Sequence, residues 1–232
     1  MKKKGLAWLL LAVMLLSVLG QITTVKAETG ADGHVLTLSA KKISIMAGCR
    51  GQLYVTSGYY ALKMYSTDKD VVTISKNGLL KAKKAGKATI VAKDTYSGAK
   101  ATCKVTVKKR LTAKQIRSKI YGLKSRYPEG KPWTNGNLDK YGNGGCYAFM
   151  MIAVERVFGK ATLTKQHKSF NKIRVGDHIR IGNFHSVVVL KKKRNSVVVV
   201  EGNYNSSIHW GREITRRELR EYGFYVDTRI WT

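Results

Sequence analysis

The chain has 232 residues, 44% of them hydrophobic and only two of them proline, an ordinary globular composition that sets aside a fibrous or low-complexity polypeptide. That length suits two small domains better than one large core. The charge is not ordinary: 43 basic against 14 acidic residues give +29, which points to a polyanionic environment, because exposed lysines are drawn to anions by a long-range attraction that salt weakens.

The N-terminal residues read as a secretory signal. Lys2, Lys3 and Lys4 precede an apolar stretch from Leu6 to Leu19, and Val25-Lys26-Ala27 carries small residues at the positions a signal peptidase reads, so cleavage is expected after Ala27. The apolar run is short of the about 20 residues a membrane span needs. No other segment is apolar enough to cross, so the mature chain is expected to be extracellular without a transmembrane segment. Losing the four lysines of residues 1–27 leaves the chain strongly basic. Outside the cell, the expected polyanions are a cell wall with its anionic polymers and the membrane surface. Nucleic acid is not expected as a partner, because the basic residues are spread along the whole chain without a nucleic-acid-binding motif.

From Val35 to Val107 the chain alternates polar and apolar residues in short runs. Thr37-Leu38, Ile43–Ile45, Gln52–Val55, Leu62–Tyr65, Val71–Ile74, Ala88–Ala92 and Thr102–Val107 are candidate strands, with Asn77-Gly78 and Ala85-Gly86 as turns. Seven strands in some 75 residues, without helical periodicity, predict a small β-sandwich. The segment DVVTISKNGLLKAKKAGKATI at 70–90 and the closing run ATCKVTV at 101–107 resemble the bacterial immunoglobulin-like group 2 family. That resemblance implies a spacer or adhesive module over residues 28–110, without catalysis of its own.

Three cysteines are an odd number for an oxidising compartment. Cys49 and Cys103 share the first half and are a candidate disulfide, or else two small buried apolar groups. Cys146 is then left as a free thiol.

Past Lys108-Lys109-Arg110 the grammar changes. Thr112 is placed to cap a helix over 113–126, with Ile116, Ile120 and Leu123 at helical spacing, and Pro128 beyond it. A loop rich in glycine follows, then a helix over 146–158 and strands near 178–181, 185–191, 196–201 and 224–230. Helix first and antiparallel sheet afterwards is an α+β arrangement.

The chemistry lies in this half. A cysteine at a helix start feels the positive end of the helix dipole and the free N–H groups there, which stabilise the thiolate. Cys146 follows Gly144-Gly145, whose missing side chains leave room around the sulfur. His185 opens the apolar run HSVVVL directly after the turn-like Gly182-Asn183, where an imidazole can take the thiol proton. If 185–191 and 196–201 form a hairpin, Glu201 lies near His185 and can hold its tautomer; Asn203, two residues on, is the alternative.

GGCYAF at 144–149, VGDHIRI at 175–181, HSVVVL at 185–190 and EGNYN at 201–205 resemble, in order and spacing, the cysteine, histidine-dependent amidohydrolase/peptidase (CHAP) domains and the related NlpC-like peptidases of the papain-like group. The resemblance covers residues 111–232. It implies Cys146 as nucleophile, His185 as base and Glu201 or Asn203 as the orienting group, with neither cofactor nor metal. The glutamine that often precedes the cysteine in this group and donates to the oxyanion is missing; Tyr141 is the candidate replacement, beside the backbone N–H of Cys146. Trp133 is a candidate substrate contact. The chain is therefore expected to be a multidomain protein, an immunoglobulin-like sandwich followed by an α+β papain-like hydrolase. Its expected substrate is an amide bond of peptidoglycan, with the wall and its anionic polymers as partners. The alternative is a non-catalytic wall-binding or adhesive protein with a degenerate second half, and a third reading is acyl transfer or protein cleavage by the same residues.

Overall fold

Period-two alternation between Lys42 and Lys108 builds seven strands: β1 (Lys42–Met46), β2 (Arg50–Gln52), β3 (Leu62–Ser66), β4 (Val72–Ile74), β5 (Leu79–Ala82), β6 (Gly86–Asp94) and β7 (Lys100–Lys108). The computed structural model describes residues 28–159 and 162–230, so the expected signal at 1–27 lies outside the described residues. One sheet has the order β1-β7-β6-β3 and a second β2-β5-β4. β1 joins β7 in parallel, while the other pairs are antiparallel. In β6, Ala88, Ile90 and Ala92 point inward and their neighbours outward. Ala88 and Ile90 share one apolar core with Ile43, Ile45, Val72, Leu80 and Val105, each large side chain contributing about 1.5–3 kcal/mol, while Ala92 joins a second cluster with Leu36, Ala99 and Ala101.

Two details differ from the alternation pattern. Thr37-Leu38 forms only an isolated bridge, Leu38 to Val55. The run at 79–82 is a full strand, because the Asn77-Gly78 turn, with Gly78 at φ +77°, folds β4 back onto β5. Of the two readings of Cys49 and Cys103, the bridge is not formed: both are free thiols, each at 0% exposure. They pack as small apolar groups, and burial pushes both thiols up to about 11.

The second half comprises α1 (Ala113–Tyr121), α2 (Gly145–Phe158), β8 (Thr164–His167), β9 (His178–Ile181), β10 (His185–Lys192), β11 (Ser196–Tyr204), β12 (Ser207–Thr215), α3 (Arg216–Tyr222) and β13 (Phe224–Arg229). α1 opens on the expected Thr112, which forms a capping box with Gln115. It closes at Gly122, one turn earlier than its apolar spacing suggests. Leu123 and Tyr127 stay buried in the turns that follow.

Six strands form an antiparallel sheet in the order β12-β11-β10-β9-β13-β8. α2 covers one face, where Phe149, Ala153 and Val157 join a cluster with Val188, Leu190 and Val200. Val187, Val189, Val197 and Val199 point the other way, into a cluster with Ile214 and Leu219. A strand covered on both sides reads as a continuous apolar run, which is why 187–190 and 197–200 show no alternation. Overall the described chain is mostly β-sheet.

The α2 core is continuous with that of the first half: Ile43, Met46, Ile116 and Phe158 belong to one cluster. Backbone contacts reinforce the join, with Leu111 N–H on Met46 Sδ at 3.2 Å and Arg50 N–H on Ile230 O at 3.1 Å.

Candidate functional site

Cys146 is the second residue of α2. The helix N-cap is Gly144, with no side-chain cap, so nothing from residue 144 competes for the first-turn N–H groups beside the sulfur. The glycines have a more specific reason than open space. Gly145 sits at φ +58°, and a Cβ there would meet Asn135 Oδ1 at 2.4 Å; one on Gly144 would meet Asn135 O at 2.6 Å. The pair lets the loop carrying Asn135 close against the helix start. Trp133 anchors the same loop. Its Nε1–H donates to Gly145 O at 2.8 Å, and its ring packs edge-on against Phe149 and Tyr127. With 5% of its surface exposed, Trp133 is a core residue that fixes the helix start, which corrects the expectation of a substrate contact.

The sulfur lies 3.8 Å from Phe184 O and 4.0 Å from Arg180 Nη1. Burial pushes the Cys146 thiol up, but a hydrogen bond from His185, the imidazolium charge, the Ser186 backbone N–H and the Arg180 guanidinium outweigh it, and the thiol sits below its ordinary range. His185 is 8% exposed and bonds through Nε2 to Glu201 Oε2 at 2.7 Å, leaving Nδ1 for the sulfur. Burial depresses the imidazole, yet its bonds to Cys146 and Glu201 and their charges raise it above the usual histidine value. Both shifts favour one state, thiolate paired with imidazolium.

Glu201 reaches His185 because the β10–β11 register pairs it with Val187, placing it diagonally across from His185 on the same face. Its side chain is wholly buried. Arg212 grips it through Nε to Oε1 at 2.5 Å and Nη2 to Oε2 at 2.6 Å. Burial raises the carboxyl, but the Arg212 and His185 bonds prevail and hold it below its usual range.

Asn203 is not brought to His185. The β11–β12 register breaks between Glu201 and Tyr204, and Asn203 adopts φ +58°. Its Nδ2 donates to Asn135 Oδ1 at 2.7 Å. Tyr141 is likewise placed elsewhere: its hydroxyl donates to Glu155, 3.1 Å from either carboxylate oxygen. Glu155 lies nine residues beyond Cys146, on the opposite side of α2 and about 13 Å along its axis, which corrects the expectation of a Tyr141 oxyanion donor. A surface recess of 710 Å³ belongs to that far region and is lined by Tyr127, Tyr141, Met151 and Glu155 rather than by the thiol.

Three side chains at the site have no counterpart among the expected residues. Arg212 sits past a bulge at Gly211 that hides its face from the alternation. Arg180 and His178 share a strand face two residues apart, and the sequence HIRI signals that pairing. Here His178 Nδ1 bonds Asp227 Oδ2 at 2.8 Å and Nε2 bonds Ser186 Oγ at 3.1 Å. Arg180 Nη1 donates to Ser186 Oγ at 3.0 Å, and its Nη2 donates to Asn183 O. Among the described residues no group of histidine, cysteine and carboxylates is placed to hold a metal, and no helix is long and apolar enough to cross a membrane. The arrangement is equipped for thiolate attack on a carbonyl, with an oriented imidazolium to return a proton.

The sequence profile of the bacterial Ig-like domain (group 2) family matches residues 52–112, from the end of β2 to the N-cap of α1. No curated protein matches the chain. Among solved structures, domains 4 and 5 of the S-layer protein SbsC are 14% identical over 32% of this chain and 51% of that one, with a TM-score of 0.26. Domains 1–6 of the same protein are 11% identical over 77% of this chain and 25% of that one, at 0.33. A mutant of EHEC O157:H7 intimin is 11% identical over 78% of this chain and 93% of that one, at 0.30. This chain thus spans about half and a quarter of the two SbsC structures. At such scores these likenesses decide nothing about the second half.

Proposed function

We propose that the protein is a secreted bacterial cell-wall hydrolase in which residues 111–232 act as a papain-like cysteine hydrolase of the CHAP/NlpC type. It cleaves an amide bond of peptidoglycan as an endopeptidase or an N-acetylmuramoyl-L-alanine amidase. The observation that carries this reading is the buried chain Cys146–His185–Glu201, gripped by Arg212, whose shifts favour a thiolate beside an imidazolium. A thiol serving only as packing is pushed the other way, as Cys49 and Cys103 are.

The thiolate attacks the amide carbon, forming the S–C bond while the π pair moves to oxygen. The oxyanion then collapses, the C–N bond breaks, and the imidazolium gives its proton to the leaving amine. Water, with its proton taken by His185, hydrolyses the thioester. Glu201 fixes the imidazole and balances its charge, and Arg212 keeps Glu201 ionised. The sandwich and the basic surface hold the enzyme on the wall and its anionic polymers.

The test compares the chain from residue 28 with its Cys146→Ala variant on isolated peptidoglycan, released fragments being identified by mass spectrometry. Fragments from the unmodified protein alone support the proposal and name the bond. If neither protein releases fragments and both sediment with the wall, the alternative of a non-catalytic binding protein replaces it.

A further inference from the structure

A hydrolase of this kind needs a donor for the oxyanion besides the backbone N–H of its cysteine, and Tyr141 does not supply it. Asn135 is bonded to Asn203 and Tyr141 to Glu155. The guanidinium of Arg180, a half-buried residue, lies beside the sulfur. Its Nη1 is 4.0 Å from Cys146 Sγ, it comes from β9 beside the strand that carries His185, and among the described residues it pairs with no carboxylate.

The guanidinium is also held in place. Arg180 faces Ser186 across the β9–β10 ladder, and its Nη1 donates to Ser186 Oγ while Nη2 donates to Asn183 O. Ser186 is fully buried, so its hydroxyl has no water to turn to. Accepting from Arg180, it is also bonded to His178 Nε2, and His178 Nδ1 is bonded to Asp227, its partner across β9 and β13. This chain gives each of its members a partner. Two bonds to oxygen fix the guanidinium plane, a third N–H is directed at Cys146 Sγ, and two of its five N–H groups remain.

We propose that Arg180 is the oxyanion donor of this site, contributing an N–H of its guanidinium to the oxygen of the tetrahedral intermediate formed on Cys146, with Ser186, His178 and Asp227 as positioning residues. An acyl carbon bonded to the sulfur puts its oxygen within the 4 Å that separates Sγ from Nη1, where a donor acts on charge that appears only in the transition state. The cation there accounts for the missing glutamine, and a substrate carboxylate is the competing occupant. The inference rests on the thiol-hydrolase reading, though not on its substrate.

The test therefore uses a probe independent of peptidoglycan. A small peptide aldehyde, N-acetyl-alaninal, adds to the thiolate: the S–C bond forms, the C=O π pair moves to oxygen, and the hemithioacetal presents that oxygen to the donor. Its affinity is read as protection of Cys146 from iodoacetamide, in wild type, Arg180→Gln and Arg180→Lys, at a pH where the thiol of each is fully ionised. Arg180→Gln is expected to weaken protection about 100-fold while the alkylation rate without aldehyde changes less than threefold. Arg180→Lys, which keeps a cationic donor, is expected to recover part of the loss. Equal protection in all three proteins overturns the proposal. So does a loss seen only with an aldehyde carrying a free carboxylate, which makes Arg180 a substrate anchor. Where the wild type also cuts peptidoglycan, kcat should fall in Arg180→Gln with KM steady. An aldehyde effect without wall cleavage overturns the substrate assignment and leaves Arg180 in its role.

Discussion

Replacing Glu201 by glutamine isolates the charge that organises the site, because the amide keeps the shape. In the native protein the carboxylate is wholly buried, bonded to His185 at 2.7 Å and gripped twice by Arg212 at 2.5 and 2.6 Å. Glu201→Gln removes one hydrogen-bond acceptor and leaves Arg212 facing a neutral group. Breaking a buried pair this way costs about 3–5 kcal/mol. Arg212 keeps a quarter of its side chain in solvent, so the lower figure, about 3 kcal/mol, applies. In a chain of this size that corresponds to a melting temperature lower by about 6–12 °C.

The pH dependence has a definite sign. The carboxyl titrates below its ordinary range, so its contribution is present above about pH 4.3 and fades as the pH falls through the depressed value. The gap between the two proteins, followed by circular dichroism, should be widest near neutrality and close in acid. Adding Arg212→Met to Glu201→Gln should restore much of the loss, since the stranded cation is gone. A Glu201→Gln protein that melts within 2 °C of the wild type at neutral pH would refute the reasoning.

Three further expectations follow from the site and its surroundings. The pH profile of kcat/KM should be a bell whose acid limb lies below the about 8.5 of an ordinary thiol and whose alkaline limb lies above the about 6.5 of an ordinary histidine, both belonging to the coupled pair; a single rise near the ordinary thiol value contradicts this. Trp133→Phe should cost about 1–3 kcal/mol in denaturant unfolding, because the buried Gly145 carbonyl loses its donor; unchanged stability with a raised KM would return Trp133 to the substrate. Reductant should leave the melting temperature unmoved, whereas a Cys49–Cys103 bridge would lose about 2–5 kcal/mol.

Much of this was legible in the chain. Strict alternation marked most strands of the sandwich, and the glycine pair followed by an apolar helix marked Cys146. His185 and Glu201 could be placed because a hairpin fixes which residues lie near each other. What stayed hidden depends on register and bulges. Arg212 reaches Glu201 only because the ladder slips at Gly211, and Asn203 turns away because its backbone leaves the strand at φ +58°. Tyr141 and Trp133 sit close to Cys146 in sequence, yet one is drawn to Glu155 and the other into the core. Arg180 could be paired with His178 from their spacing, but its approach to the sulfur depends on how α2 lies on the sheet.

The most direct test of the activated thiol needs no substrate. Iodoacetamide is applied at about pH 6, and the rates at Cys146, Cys49 and Cys103 are read by peptide mapping in the wild type and in His185→Ala. The account predicts rapid alkylation of Cys146 alone, at least tenfold slower in His185→Ala, with Cys49 and Cys103 unreactive in both. Cys146 reacting no faster than an ordinary thiol, or equally fast without His185, would contradict it.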